Sequence, residues 1–373
     1  RRHFGESISI TWLARIQIML RLNAEISIAG AKFNGVTEVE ISSTWERFTD
    51  TAKITLPKRL EKGGEQIFVG ANSLFSAGDA VEITLGYFPT LQARFTGFIS
   101  RVIPELPAVL ECQDITWLLK QTNIEASFES VTLKELIDDG IAKAAAQQTD
   151  ATRKSQIEAI NTNFIDPDLT LGSFRTVGGA VNFVGILKEL KKVYGLQTFA
   201  QENNLFIGSP YILTGRTQST YKINFERNII EHNLEYIHED DVKIKVKAVS
   251  MLPDNTKVEV VVGDADGETR TFFTFGITTT AALKKMAESE LQRFKYTGFN
   301  GTFTTFGEPY IRHGDAIKLV NKKLPERDGF YLVDEVTTTF GFGGFRQNVK
   351  LGPKTGASDL TPLPDKLNEL VNQ

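Results

Sequence analysis

The residues best equipped for chemistry are few and widely spaced. Histidine occurs at His3, His232, His238 and His313. His232 and His238 are an even number of residues apart on one expected strand, so they can share a face near Glu239 and Asp240. Along an extended strand that spacing is about 20 Å, too long to hold one metal ion without a bend. The stretch GDADGETR from Gly263 looks like a calcium loop, but it lacks the third acidic position and the distal bidentate glutamate. It lies between two strand-like runs and is expected to be a turn. FGFGGFRQ from Phe340 is glycine-rich, yet no lysine-serine or lysine-threonine follows to match a phosphate loop, so a tight β-connection is expected. Cys112 is the only cysteine, which excludes an intramolecular disulfide or a multi-cysteine zinc site, and no histidine neighbours it. There is no G-x-S-x-G elbow, and no two acidic residues stand out as a glycosidase-like pair. The sequence therefore assigns no catalytic, cofactor-binding or metal-ligating residue, and no enzymatic activity is expected.

The elements that would position any site are mostly strands. TAKITLP alternates with Ala52, Ile54 and Leu56 on one face, and GDAVEITL does the same with Val81, Ile83 and Leu85. From Leu22 to Cys112 such runs follow one another with turn signals between them, which favours a barrel or sandwich. The period then changes. VTLKELIDDGIAKAAAQQ places Leu133, Leu136, Ile137 and Ile141 on one helical face, with Thr132 and Glu135 as a capping box. AVNFVGILKELKKVYG reads as a second helix, and LQTFAQENNLFIGS as a hairpin turning at Asn203-Asn204. Strands resume at Tyr221. KVEVVVGDADGETRTFFTF is expected to be a hairpin turning at Asp266-Gly267, followed by a helix over TTAALKKMAESELQRFKY.

These patterns give an α+β chain, mainly β. They divide it into an N-terminal extension (1–21), a first β module (22–113), an α+β domain with two helices and a hairpin (114–213), a second β module (214–249 and 296–352), a hairpin-helix insert (250–295) and a tail (353–373). MLRLNAEISIAG from Met19 reads like a natural beginning. In the tail, Leu367, Leu370 and Val371 share one helical face and form a candidate docking segment. A net charge of −4 argues against a general nucleic-acid-binding surface. No apolar run approaches the roughly 18 residues of a membrane span, so no membrane insertion is expected.

One phrase is written twice. GDAVEITL begins at Gly78 and GDAIKLVN at Gly314. Each is followed, after a loop, by a Gly-Phe strand start: GFISRVI from Gly97 and GFYLVDEV from Gly329. Before them, EISSTWERFTDTAKITLP resembles NLEYIHEDDVKIKVKAV as strand, acidic turn, strand. The order of anchors points to two related β modules, the second interrupted.

FTDTAKITLP, GDAVEITLGY, ARFTGFISRVIPELPAVLECQD and WLLK, with the later run from Tyr296 to Gly352, resemble the central baseplate hub proteins of contractile-tailed phages. That group includes the late control protein D family, the 43-kDa tail protein of Mu-like prophages and the hub part of type VI secretion spike proteins. The resemblance covers about Leu22 to Gly352. It implies two β-barrel tube domains per chain and a homotrimer, hence six similar units in a ring. Such a ring would match a hexameric tail tube on one side and a trimeric central spike on the other, in a virion baseplate assembled in the host cytoplasm. DNA would pass through its channel, without sequence-specific binding, and no cofactor is implied. With no β-helical repeats before Gln373, the spike is expected to be a separate protein. Alternatives are the hub of a non-phage contractile injection system, a tail-associated peptidoglycan hydrolase acting through the α+β domain, and a carbohydrate-binding protein. Trp12, Trp45 and Trp117 lie far apart and give the last little support.

Overall fold

The computed structural model describes residues 21–356 apart from 58, 63–64, 69–74, 105–106, 165–167, 177–178, 180, 195, 209–218, 253–255, 276 and 278. His3, Trp12, Met19 and the tail residues Leu367, Leu370 and Val371 lie outside the described residues. The chain is mainly β, with helices in two places. Thirteen strands form one hydrogen-bonded sheet. They are β1 (Leu22–Ile28), β2 (Ala31–Phe33), β3 (Glu38–Thr44), β4 (Thr51–Leu56), β5 (Ala80–Tyr87), β6 (Thr90–Ile103), β7 (Ala108–Gln113), β8 (Thr220–Asn224), β9 (Ile229–Ile237), β10 (Gly298–Phe306), β11 (Ala316–Val320), β12 (Gly329–Gly341) and β13 (Gly344–Thr355). The ladder runs β9-β10-β13-β12-β3-β4-β7-β6-β5-β1-β2, and β11 bridges β12 to β8.

Alternation produces these strands because each buries one face. Ala52, Ile54 and Leu56 are 3%, 0% and 0% exposed, as are Val81, Ile83 and Leu85, and both trios enter one core with Ile26 and Leu110. A second core collects Ile223, Phe303, Ile317, Val333 and Val349 from β8 and β10–β13.

Within this sheet one order of pairing occurs twice. The N-terminal strands pair as β3-β4-β7-β6-β5-β1 and the C-terminal strands as β9-β10-β13-β12-β11-β8. The two differ at the last step: β1 lies antiparallel to β5, whereas β8 lies parallel to β11. The repeated Gly-Asp turn is matched bond for bond. Gly78 N donates to Ile99 O and Gly314 N to Val333 O, both at 2.7 Å. Ile99 N donates to Asp79 O and Val333 N to Asp315 O, both at 2.9 Å. The aspartates accept from Ser76 N (2.8 Å) and Arg312 N (2.9 Å). Both glycines have positive φ, +92° and +82°, which L side chains rarely adopt.

This register corrects two alignments. Ala80 faces Phe98 and Ala316 faces Leu332, so Gly97-Phe98 corresponds to Tyr331-Leu332 and not to Gly329-Phe330. The counterpart of β4 is β10, not the run beginning VKIKVKAV.

That run, strand Ile244–Met251, belongs to a separate three-stranded sheet with Lys257–Gly263 and Glu268–Phe275, so the insert starts before residue 250. The expected hairpin is also absent: Ile244–Met251 lies between its two arms, antiparallel to one and parallel to the other. Residues 264–267 cross over the end of the central strand, about 10 Å between outer strands, a span within reach of four residues. Gly267 permits the crossing, since a Cβ there would lie 2.6–2.8 Å from the Ile244 backbone. Asp264 anchors it by accepting from Ile244 N (3.2 Å) and from Lys295 Nζ (2.5 Å).

The α+β unit has its own core around Leu136, Ile137, Phe183 and Leu187. It contains α1 (Thr116–Lys120), α2 (Leu133–Ala146), α3 (Ala151–Glu158) and α4 (Phe183–Tyr194); α5 (Thr280–Phe294) covers the insert sheet. α1 and α3 have no counterpart in the sequence reading. The hairpin Gln197–Gln201/Asn204–Gly208 turns at Glu202-Asn203, one residue before the expected place, with Glu202 at φ 56°. The capping box of α2 is formed as the sequence indicates: Thr132 Oγ1 accepts from Glu135 N and Glu135 accepts from Thr132 N at 3.0 Å. Replacing Thr132 with alanine is expected to cost about 1 kcal/mol in urea denaturation.

Candidate assembly interface

β12 has 13 residues and outruns the 5 of β11, so residues 335–341 present an edge that β11 cannot cover. β3 takes that edge in seven antiparallel pairs from Glu335↔Thr44 to Gly341↔Glu38. Side chains lock this seam. Phe340 and Phe345, from the C-terminal strands, sit in the core of the N-terminal ones. Trp45 Nε1 donates to Asp334 Oδ1 (3.0 Å) and Thr44 Oγ1 to Asp334 O (3.1 Å). Arg47 pairs with Glu335 (3.3 Å) and Lys350 with Glu46 (3.5 Å). Buried Arg94 pairs with Glu308 and lies 4.2 Å over the Tyr310 ring, while Tyr310 OH donates to Arg94 O (2.9 Å).

Beside the seam is a cluster of titratable groups. The Ser43 hydroxyl lies 2.6 Å from Asp50 Oδ2 and hydrogen-bonds His313 Nδ1. Asp50 Oδ1 accepts from Thr44 N (3.1 Å). Asp114 Oδ2 accepts from Asp50 N (2.8 Å), and its Oδ1 accepts from Thr116 N (2.9 Å). Burial, reinforced by the Asp114 charge, holds the Asp50 carboxyl well above the usual carboxylate range. Burial pushes Asp114 up to about 6 against the opposing bonds from Thr116 and Asp50. Ser43, Asp50 and Asp114 line a cleft of about 460 Å³ with Arg94, Asn161, Gln201, Asn203 and Arg312. Both carboxylates accept from donors of their own chain, so the arrangement ties segments together.

The α+β unit touches both Gly-Asp turns. Arg153 Nη2 donates to Gly78 O (3.0 Å) and lies over Trp117, which stacks on Phe98. At the other turn Gln201 Nε2 donates to His313 O (3.5 Å), the Phe199 ring meets His313 edge-on and Glu202 pairs with Arg312 (3.2 Å).

Among the described residues that the sequence singled out, only His313 joins this cluster. His232 packs on Phe225 and His238 on Tyr236. Among the described residues no group of three or more His, Cys, Asp or Glu side chains could hold a metal ion. Cys112 is buried, which pushes its thiol up to about 12. Trp45 and Trp117 pack within the chain. The sequence does not single out Asp50, Asp114, Ser43 and Arg94; Asp-x-Thr at the start of α1 is a local turn signal for Asp114, whose Oδ1 accepts from Thr116 N, but nothing local marks the other three. Among the described residues no helix is long and apolar enough to cross a membrane.

No protein-family model and no curated protein matches the sequence. Solved structures do. A tail protein from Neisseria meningitidis MC58 superposes with a TM-score of 0.61 at 15% identity, covering 89% of this chain and 96% of that one. The fold is that of phage tail proteins. The 43 kDa tail protein of prophage MuSo2 from Shewanella oneidensis gives 0.56 at 14% identity, covering 88% and 97%. A type VI secretion component of E. coli, itself described as similar to the T4 bacteriophage tail proteins gp27 and gp5, gives 0.54 at 10% identity, covering 91% and 79%. A Mu-like prophage tail protein and a type VI secretion component are among the groups the sequence resembles, so that expectation holds at the level of the tail-protein fold.

Proposed function

We propose that this chain is the hub of a phage tail baseplate, acting as a homotrimer in which each copy contributes two related β modules to a ring of six. The observation that carries this reading is the doubled strand order with its bond-for-bond copy of the Gly-Asp turn. A duplicated unit lets three chains present a six-fold face to a tail tube while keeping three-fold symmetry for a central spike. The hub would hold the spike until contraction and surround the channel through which DNA passes. The net charge of −4 suits a channel that must not retain a polyanion. The similarity in fold to tail proteins and to a secretion component supports a place in the virion tail. The function is architectural, without cofactor.

Light scattering of the purified chain tests the reading. A particle of three chains' mass, stable on dilution through the micromolar range, is expected. A monomer at every concentration would rule out a self-assembling trimer.

A further inference from the structure

A ring requires an edge of one copy to meet an edge of the next. Resting on the trimer reading, we propose that β9 of one copy adds to the outer edge of β6, at residues 101–103, of the next copy, in the register that already joins β3 to β12 within the chain.

The register follows from the two strand sets. Arg101 faces Glu111 and Glu335 faces Lys350, each just after a shift of register, at Ile99/Arg101 and at Val333/Glu335. Across the ladder, Glu111 faces Lys53 and Lys53 faces Glu40. In the other set Lys350 faces Thr302 and Thr302 faces Asn233. Arg101 therefore corresponds to Glu335, and Glu40 to Asn233, which makes Ile237 the counterpart of Thr44. Within the chain Thr44 faces Glu335 and Ser42 faces Thr337. Between copies Ile237 would face Arg101, and Glu235 would face Ile103.

Both edges are available. β9 ends the ladder, and its outer edge pairs with no described strand. β5 covers β6 only from Thr90 to Phe98, so the edge of 101–103 away from β7 likewise has no described partner strand. β9 carries no proline, and Pro104 ends the β6 edge after Ile103, so the joint is confined to residues 101–103.

Charge selects this partner. At the internal seam a cation leaving β3, Arg47, meets an anion on β12, Glu335. At the free edges both signs are reversed: β9 is followed by Glu239, Asp240 and Asp241, all exposed, and the position of Glu335 is taken by exposed Arg101. Arg101 has no ion pair among the described residues and ends the alternating row Glu40, Lys53, Glu111, Arg101. Glu111, which shares the sign of the incoming acidic residues, faces Lys53 on its other side. Reversal also disfavours the wrong joint, since β9 set against β12 of another copy would place Asp240 at Glu335.

Cysteines at Glu235 and Ile103 test the register. Facing residues of an antiparallel pair lie about 4.5–5.5 Å apart between Cα atoms, within disulfide reach, and the one native cysteine is buried. Mild oxidation of the E235C/I103C chain is expected to give covalent trimers, and either single variant none. R101E is expected to weaken the trimer at least about tenfold, and R101E/D240R to restore it. A trimer by light scattering that does not cross-link, with native circular dichroism, overturns this pairing and leaves the hub reading intact. A chain that is monomeric throughout overturns both.

Discussion

Replacing Phe345 with alanine is expected to destabilise the chain by roughly 3–5 kcal/mol. The side chain is fully buried. It belongs by sequence to the C-terminal strands but by packing to the N-terminal core, where Tyr87 and Phe340 both hold their rings 5.5 Å from it. The Arg94 guanidinium lies 5.2 Å over its face. Its neighbourhood cannot close around a smaller residue cheaply. Gly307 already abuts the ring so tightly that a Cβ there would sit 2.1 Å away. The variant therefore leaves a cavity and deprives a buried cation of one of its two aromatic faces. Urea denaturation followed by tryptophan fluorescence measures this directly, because Trp45 bonds across the same seam to Asp334. A second, earlier transition would show that the strand sets separate once the seam is loosened. A loss below about 1 kcal/mol would mean that Phe345 does not couple them.

The strands of both sets could be read from the sequence, because each buries one face and alternation records that directly. The identity of the partner strand could not. Residues 244–251 alternate as well as any strand of the large sheet, yet they lie between the two arms of what reads as a hairpin. Alternation fixes which face is apolar but says nothing about which edge is occupied. The Gly-Asp repeat was visible because positive φ and an Asp turn leave a residue signature. The second anchor, Gly-Phe, slipped by two residues, and only hydrogen bonds to the turn fix the frame. The cluster beside the seam was hidden for another reason. Ser43 and Asp50, Asp114, and His313 come from three separate segments, and only Asp114 carries a local signal. What distinguishes them is their meeting in space, which no local window contains.

That cluster yields a prediction with a definite sign. The Asp50 and Asp114 carboxyls are held above their usual range by burial, so the folded chain keeps protons that the unfolded chain releases. A group raised on folding stabilises fully below its unfolded value, and that contribution is lost as pH rises through the folded value. The window therefore opens near pH 4 and, for Asp114, closes above about 6. Asp50→Asn should remove the Asp50 share. An asparagine keeps an oxygen to accept from Thr44 N, and its Nδ2 donates to Ser43 Oγ, which then donates to His313 Nδ1. This is the hydrogen-bond pattern of protonated Asp50 held at all pH. Its thermal midpoint is expected to exceed that of the unaltered chain by at least about 2 °C at pH 8, and the two to converge toward pH 4–5. Ser43→Ala deletes the bridge and is expected to lower the midpoint at both ends. Circular dichroism melts of the three chains from pH 4 to 8 decide the matter. If Asp50→Asn proves less stable than the unaltered chain at pH 8, ionised Asp50 must be a net attraction in the folded state, and burial is not the dominant cause.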